Sequence, residues 1–190
     1  MKNVTHELEA TAKKLQQQTK SYLDDIKKLI AEPNDSNKVH VISYFTYSLN
    51  ISHNSEHSSL CLGSYHIHNI SSHPITNPYI CIKIPTKSPF SFSGRYVYEN
   101  FKQSLKNASQ WERINEKTNT EEFWLRPLGK ASIEPNETIT FSNFQIKWSP
   151  TTSYSGSIMG FTYSDQSEEG IAVINPINLN GTIPILEDEK

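Results

Sequence analysis

The sequence predicts a mainly β protein: an antiparallel β-sandwich of about seven to eight strands preceded by one long N-terminal α-helix. Three observations carry that expectation. Residues 4–31 contain neither Gly nor Pro and repeat their apolar positions every three to four residues. The period changes to two after residue 38, and short β-rich segments bounded by turn residues then continue to residue 181.

The helix comes first. VTHELEATAKKLQQQTKSYLDDIKKLIA is rich in Ala, Leu, Lys, Gln and Glu, which lose little side-chain freedom in a helix. Thr5, Leu8, Ala12, Leu15, Thr19, Tyr22, Ile26 and Leu29 alternate spacings of three and four, the seam of a coiled coil, with Glu7, Lys13, Lys14, Lys20 and Lys27 off it. The seam strengthens toward Tyr22, Ile26 and Leu29. Leu8, Leu15, Tyr22, Ile26 and Leu29 are therefore the candidate anchors for a protein partner or for self-association as a homo-oligomer.

EPNDSNK stops the helix, because Pro33 disfavours a helical residue before it and the Asn/Asp/Ser cluster favours turns. The domain reading is 1–32 helix, 33–38 linker, 39–183 sandwich and 184–190 acidic tail. In VHVISYFTYSLNI, Val39, Val41, Ser43, Phe45, Tyr47 and Leu49 alternate with His40, Ile42, Tyr44, Thr46 and Ser48. LCLGSYHIHNI, PYICIKIP, FSFSGRYVY, EFWLRPLG, TITFSNFQIKW, SGSIMGFTYS and GIAVINPINLNG complete eight candidate strands. The polar stretch 99–122 breaks the rhythm and reads as a functional loop.

Eighteen basic and twenty acidic residues give a net charge of −2 with no long basic run, so nucleic acid is not an expected partner. The start, MKNVTHELEATAKKLQQQTK, lacks the apolar core of a secretory signal, and no 18 apolar residues follow one another; a cytoplasmic protein without a membrane span is expected. Cys61 and Cys81 lie in two strand-like segments that can be neighbours. In a reducing compartment they read as small buried apolar residues, and without a CxxC spacing they make no zinc site.

GSYHIHNISSH raises the question of a metal. His66 and His68, two apart on a strand, share a face, and imidazole is a common ligand. The carboxylate that a cupin-like His-x-His strand carries beyond its second histidine is missing over Asn69–His73. His66 and His68 are thus weak metal candidates that alternation places on a solvated face, and no metal or cofactor is expected. A metal-dependent enzyme built on them stays an alternative.

Among the aromatic residues, Trp124 in EFWLRP and Trp148 in FQIKW read as core, whereas Trp111 in QWERINE has polar neighbours and reads as the surface contact of a carbohydrate-binding sandwich. No G-x-S-x-G, H-E-x-x-H, GxxxxGK[ST] or GxGxxG pattern occurs, and Glu112, Glu116, Glu121 and Glu122 read as a charged loop rather than a glycosidase pair.

NISSHPITNPYICIKIP, followed by IEPNETITFSNFQIKW and YSGSIMGFTYS, resembles immunoglobulin-like accessory domains of the CARDB type over residues 39–181, with Asn136 where that pattern has a turn glycine. The resemblance implies a spacer or protein-binding module without catalytic residues. The reading is a noncatalytic interaction module, helix for docking and sandwich for a binding face; carbohydrate binding is its alternative.

Overall fold

The computed structural model describes Lys13, Leu15, Gln17, Lys20 and residues 40–52, 56–98 and 111–182. The chain divides into two units, Met1–Asn37 and Lys38–Lys190. The expected helix at 4–31 lies outside the described residues apart from those four isolated positions, each with helical backbone. Tyr22, Ile26, Leu29 and Leu8 of the seam lie outside them too, as do the 33–38 linker and the 184–190 tail.

Period-2 alternation does form strands in the second unit: β1 Val41–Asn50, β2 Ser59–Asn69, β3 Ile75–Thr76, β4 Tyr79–Lys83, β5 Ser91–Ser93, β6 Tyr96–Tyr98, β7 Trp111–Arg113, β8 Glu122–Pro127, β9 Ser132–Ile133, β10 Thr138–Trp148, β11 Tyr154–Ser164, β12 Ser167–Ala172 and β13 Ile177–Gly181. Thirteen strands among the described residues replace the expected seven to eight. One sheet has the order β1-β2-β10-β5; another has β12-β11-β4-β8-β7-β6 with β13 on β11; β3 pairs β9. The second large sheet is mixed, since β6 and β7 run parallel. Antiparallel pairing throughout was the expectation, and this parallel edge is the exception to it.

Two of the extra strands come from segments read differently in the sequence. FSFSGRYVY, expected as one strand, is cut at Gly94: β5 joins the four-stranded sheet and β6 the seven-stranded one. A Cβ at Gly94 would press into the Phe141 ring, so only glycine lets the chain cross from one sheet to the other at this point. Within the 99–122 stretch, Trp111–Arg113 is strand β7 rather than loop.

The two inner faces meet in one core. Phe45, Cys61, Tyr65, Ile67, Phe141, Phe144 and Ile146 come from the first sheet, and Ile80, Ile82, Phe123, Leu125 and Ile158 from the second. Each such side chain contributes roughly 1.5–3 kcal/mol by leaving water. A polar clasp joins the layers: the Thr162 hydroxyl lies 2.6 Å from that of Ser43 and 2.8 Å from the Tyr65 phenol, so no buried hydroxyl of the three is orphaned. Asn136 holds φ at 62°, which is how it serves where a turn glycine was expected.

Cys61 lies on β2 and Cys81 on β4, strands of different sheets; both are free thiols and both are buried, as their reading as small apolar residues expects.

Candidate functional site

Three consecutive alternations build an outward aromatic surface on the seven-stranded sheet. In β8, Phe123 and Leu125 are buried, which turns Glu122, Trp124 and Arg126 outward. In β4, Ile80 and Ile82 enter the core, leaving Tyr79, Cys81 and Lys83 on the other face. In β11, Ile158 and Thr162 face in, leaving Met159, Phe161 and Tyr163 out. Register then sets the neighbours: Tyr79 opposite Tyr163, Cys81 between Phe161 and Trp124, and Lys83 between Met159 and Glu122.

Trp124 leans across the central strand to reach Tyr163, with ring centroids 5.1 Å apart; Tyr79 and Tyr163 stack at 5.0 Å and 7°. Cys81, beneath these rings, is 0% exposed although it points away from the core. Burial, with the nearby Glu122 charge second, pushes its thiol up to about 12. Tyr163 rests over Gly170, whose φ of 79° and lack of a Cβ admit the ring.

The rings have a polar border. The Trp124 indole Nε1 donates to Glu122 Oε2 at 2.9 Å, Lys83 Nζ pairs with Glu122 Oε1 at 2.9 Å, and Lys83 Nζ sits 5.6 Å from the Phe161 centroid. The Lys83 ammonium beside it holds the Glu122 carboxyl below the usual carboxylate range, with the indole N–H adding to this. Glu122 in turn raises Lys83. Next along the sheet, Arg126 Nε donates to Glu112 Oε2 at 2.6 Å.

The tryptophans therefore exchange the roles expected of them. Trp111 is 3% exposed; as an inward residue of β7 it packs on Phe141 and donates from Nε1 to the Thr140 carbonyl at 3.1 Å. Its polar neighbours Glu112 and Arg113 share strand β7 and are themselves buried, so their polarity says nothing about the face it takes. Trp148 is core, as expected, whereas Trp124 belongs to the outer surface. Strict alternation with Phe123 and Leu125 is the signal that places it there.

His66 and His68 do share one face, the outer side of the four-stranded sheet. His66 Nε2 lies 2.8 Å from the Thr46 hydroxyl and Nδ1 lies 3.0 Å from that of Thr140, while its ring stacks on Tyr44 at 4.8 Å. A neutral imidazole has one N–H, so one threonine donates to it and the other accepts. Partial burial holds its pKa below the ordinary value. His68 Nδ1 is engaged by Thr138 at 2.9 Å, and among the described residues no group of three His, Cys, Asp or Glu is placed to hold a metal. His73 belongs instead to a turn organised by Asn69.

The acidic residues of 112–122 do not converge on a cleft: Glu112 and Glu122 each pair with a base, and Arg113 Nη2 gathers the Glu116 and Asn119 carbonyls around the turn. Among the described residues no helix is long and apolar enough to cross a membrane.

No protein-family model and no curated protein matches the chain. Solved structures do. A family GH18 chitinase from Chromobacterium violaceum is similar with a TM-score of 0.32 and 9% identity over 68% of this chain and 18% of that one. A GH20 exo-β-N-acetylglucosaminidase from Vibrio harveyi gives 0.30 and 12% over 76% and 18%. A family 3b carbohydrate-binding module from the biomass sensoring system of Clostridium clariflavum gives 0.35 and 14% over 73% and 99%. The chain thus spans less than a fifth of the two glycosidases, and what these names describe belongs to those proteins.

Proposed function

We propose that the sandwich is a noncatalytic carbohydrate-binding module whose ligand stacks on Trp124, Tyr163 and Tyr79. The outward, contiguous trio of part-exposed rings carries this reading. Aromatic faces complement the C–H surface of a sugar ring, and the two phenols with the Lys83–Glu122 pair supply donors and acceptors for its hydroxyls. One or two stacked sugars give modest affinity, on the order of 1 mM to 1 μM. Lys83 and Arg126 are already paired, which favours neutral over acidic sugars.

Affinity electrophoresis through gels containing soluble neutral polysaccharides, with a glycan array beside it, tests the reading. Retention that Trp124→Ala removes supports it. An array without signal, or retention that ignores both Trp124→Ala and Tyr163→Ala, sinks it.

The docking role read from Leu8, Leu15, Tyr22, Ile26 and Leu29 rests on the sequence repeat and adds a second, compatible function. Ile26→Asp with Leu29→Asp is expected to remove any assembly made by that segment while the sandwich stays folded.

A further inference from the structure

β1 is the edge of the four-stranded sheet, and the described residues close only the first half of that edge. The Ile174 N–H donates to the Ser43 carbonyl at 2.9 Å. The Phe45 N–H donates to Asn175 Oδ1 at 2.8 Å, and Asn175 Nδ2 donates to the Phe45 carbonyl at 2.8 Å. One side-chain amide thus satisfies the same donor and acceptor that a neighbouring strand would. It also fixes the direction of the edge, since backbone groups of Ser43 and Phe45 point away from β2. In an unbroken antiparallel register, Val41↔Asn69 through Asn50↔Leu60, those of Tyr47 and Leu49 point the same way.

Beyond Phe45 the side chains change character. Tyr47, Leu49 and Ile51 continue the inward series of β1, yet they are 43%, 42% and 45% exposed. From Val41 to Ser52 the sequence has no charged residue, Pro or Gly, and β1 has no bulge against β2. The usual guards of an edge strand, a lysine, a proline or a bulge, are missing from this one.

We propose that Tyr47–Ile51 pairs with the same edge of a second copy, antiparallel, with Leu49 on the two-fold axis. The segment is complementary to itself. Turned about Leu49, Tyr47 meets Ile51 of the partner and Leu49 meets Leu49, while Ser48 and Asn50 face each other on the opposite side. Because the segment is uncharged, the two-fold brings no like charges together, the penalty that ordinarily bars an isologous edge contact. Asn175 stops the shared ladder at Phe45, so the contact is about five residues per strand. An interface that small is well under the ~1,200 Å² of stable complexes, and the dimer depends on concentration.

The axis gives a test specific to this register, on the full chain. At a hydrogen-bonded antiparallel pair the Cα atoms are about 5.5 Å apart, within disulfide range. Leu49→Cys is expected to form a covalent dimer under mild oxidation. Tyr47→Cys and Ile51→Cys, whose own copies lie about 14 Å apart at ~3.4 Å per residue, form none singly but cross-link when mixed. The native thiols are buried and give no background. By light scattering, Leu49→Lys is monomeric at concentrations where the parent chain is dimeric, and Ile26→Asp with Leu29→Asp leaves that dimer intact. A chain that stays monomeric to millimolar concentration overturns the proposal. So does single-site cross-linking at 47 or 51, or assembly that survives Leu49→Lys and disappears with the Ile26 and Leu29 changes.

Discussion

Trp111 and Trp124 lie on adjacent strands of one sheet and point to opposite faces, Trp111 into the core against Phe141 and Trp124 outward against Tyr163. Truncating them is expected to separate stability from binding. Trp111→Ala leaves a cavity and an unpaired Thr140 carbonyl and costs about 3–5 kcal/mol. Trp124→Ala costs far less in stability and removes retention on polysaccharide. Urea unfolding and affinity electrophoresis on the same two variants check this; equal destabilisation by both would place Trp124 in the core's service.

The Lys83–Glu122–Trp124 border sets an acid dependence. The Glu122 carboxyl lies below its ordinary value when folded, so on acidification the unfolded chain takes up the proton first. Its stabilising contribution is present above the ordinary glutamate value of about 4.3 and is lost as pH falls through the lower, folded value. For a pair this exposed the contribution is about 0–1 kcal/mol, weaker in high salt. Unfolding midpoints between pH 6 and 3 are expected to fall less steeply in Glu122→Gln than in the parent. Glu137, held down first by Lys130 and then by the Glu134 N–H, acts in the same direction, so Glu122→Gln flattens the slope only in part.

Much of this architecture was legible. Period 2 in VISYFTYSLN does give strand β1, and His66 and His68 fall on the shared outer face that their spacing requires. In YSGSIMGFTYS, however, the inward set is Ile158, Gly160 and Thr162 while the larger Met159, Phe161 and Tyr163 lie outside, so side-chain size alone does not reveal the face. The strand count was not, because a strand that changes sheets at Gly94 keeps its periodicity across the break. The outward aromatic surface was not legible either: the rings that Trp124 meets, Tyr79 and Tyr163, are 45 and 39 positions away, joined only by the register of β4 with β8 and β11. The polar residues beside Trp111 share its strand, so composition does not fix a tryptophan's face, whereas the parity of its strand does.

The two cysteines are expected to be inert in the folded protein. Burial pushes Cys61 up to about 11, and burial followed by Glu122 pushes Cys81 up to about 12. At pH 8 neither supplies appreciable thiolate, so labelling by a disulfide reagent should be at least 100-fold slower than in 6 M guanidinium. Raised folded values give the opposite pH sign to Glu122. The unfolded thiols ionise first, near pH 8.5, so stability is whole below that pH and declines as pH rises toward the folded values. Cys61→Ala or Cys81→Ala should flatten that alkaline decline; rapid native labelling of either thiol would contradict the burial.

Asn69 predicts the largest loss from a single polar change. Its Nδ2 donates to the His73 and Ile133 carbonyls, each at 2.8 Å, and its Oδ1 accepts from the Ser71 N–H at 2.9 Å and the Ser71 hydroxyl at 2.6 Å. The residue is fully buried where β2 ends, and its backbone also bonds Glu137 and Asn136. Removing the side chain strands buried donors and acceptors at roughly 1–3 kcal/mol each, partly recovered by entering water, so Asn69→Ala should cost about 2–4 kcal/mol. Asn69→Asp keeps the shape but replaces the donor with an oxygen, aiming a carboxylate at two carbonyls in a buried site. It is expected to be the worse of the two near neutral pH and to recover on acidification, when the protonated acid regains one donor. Chemical unfolding of both variants at pH 7 and 5 decides it: an aspartate variant as stable as the parent at pH 7 would show that the amide's two donated bonds are not what hold this turn.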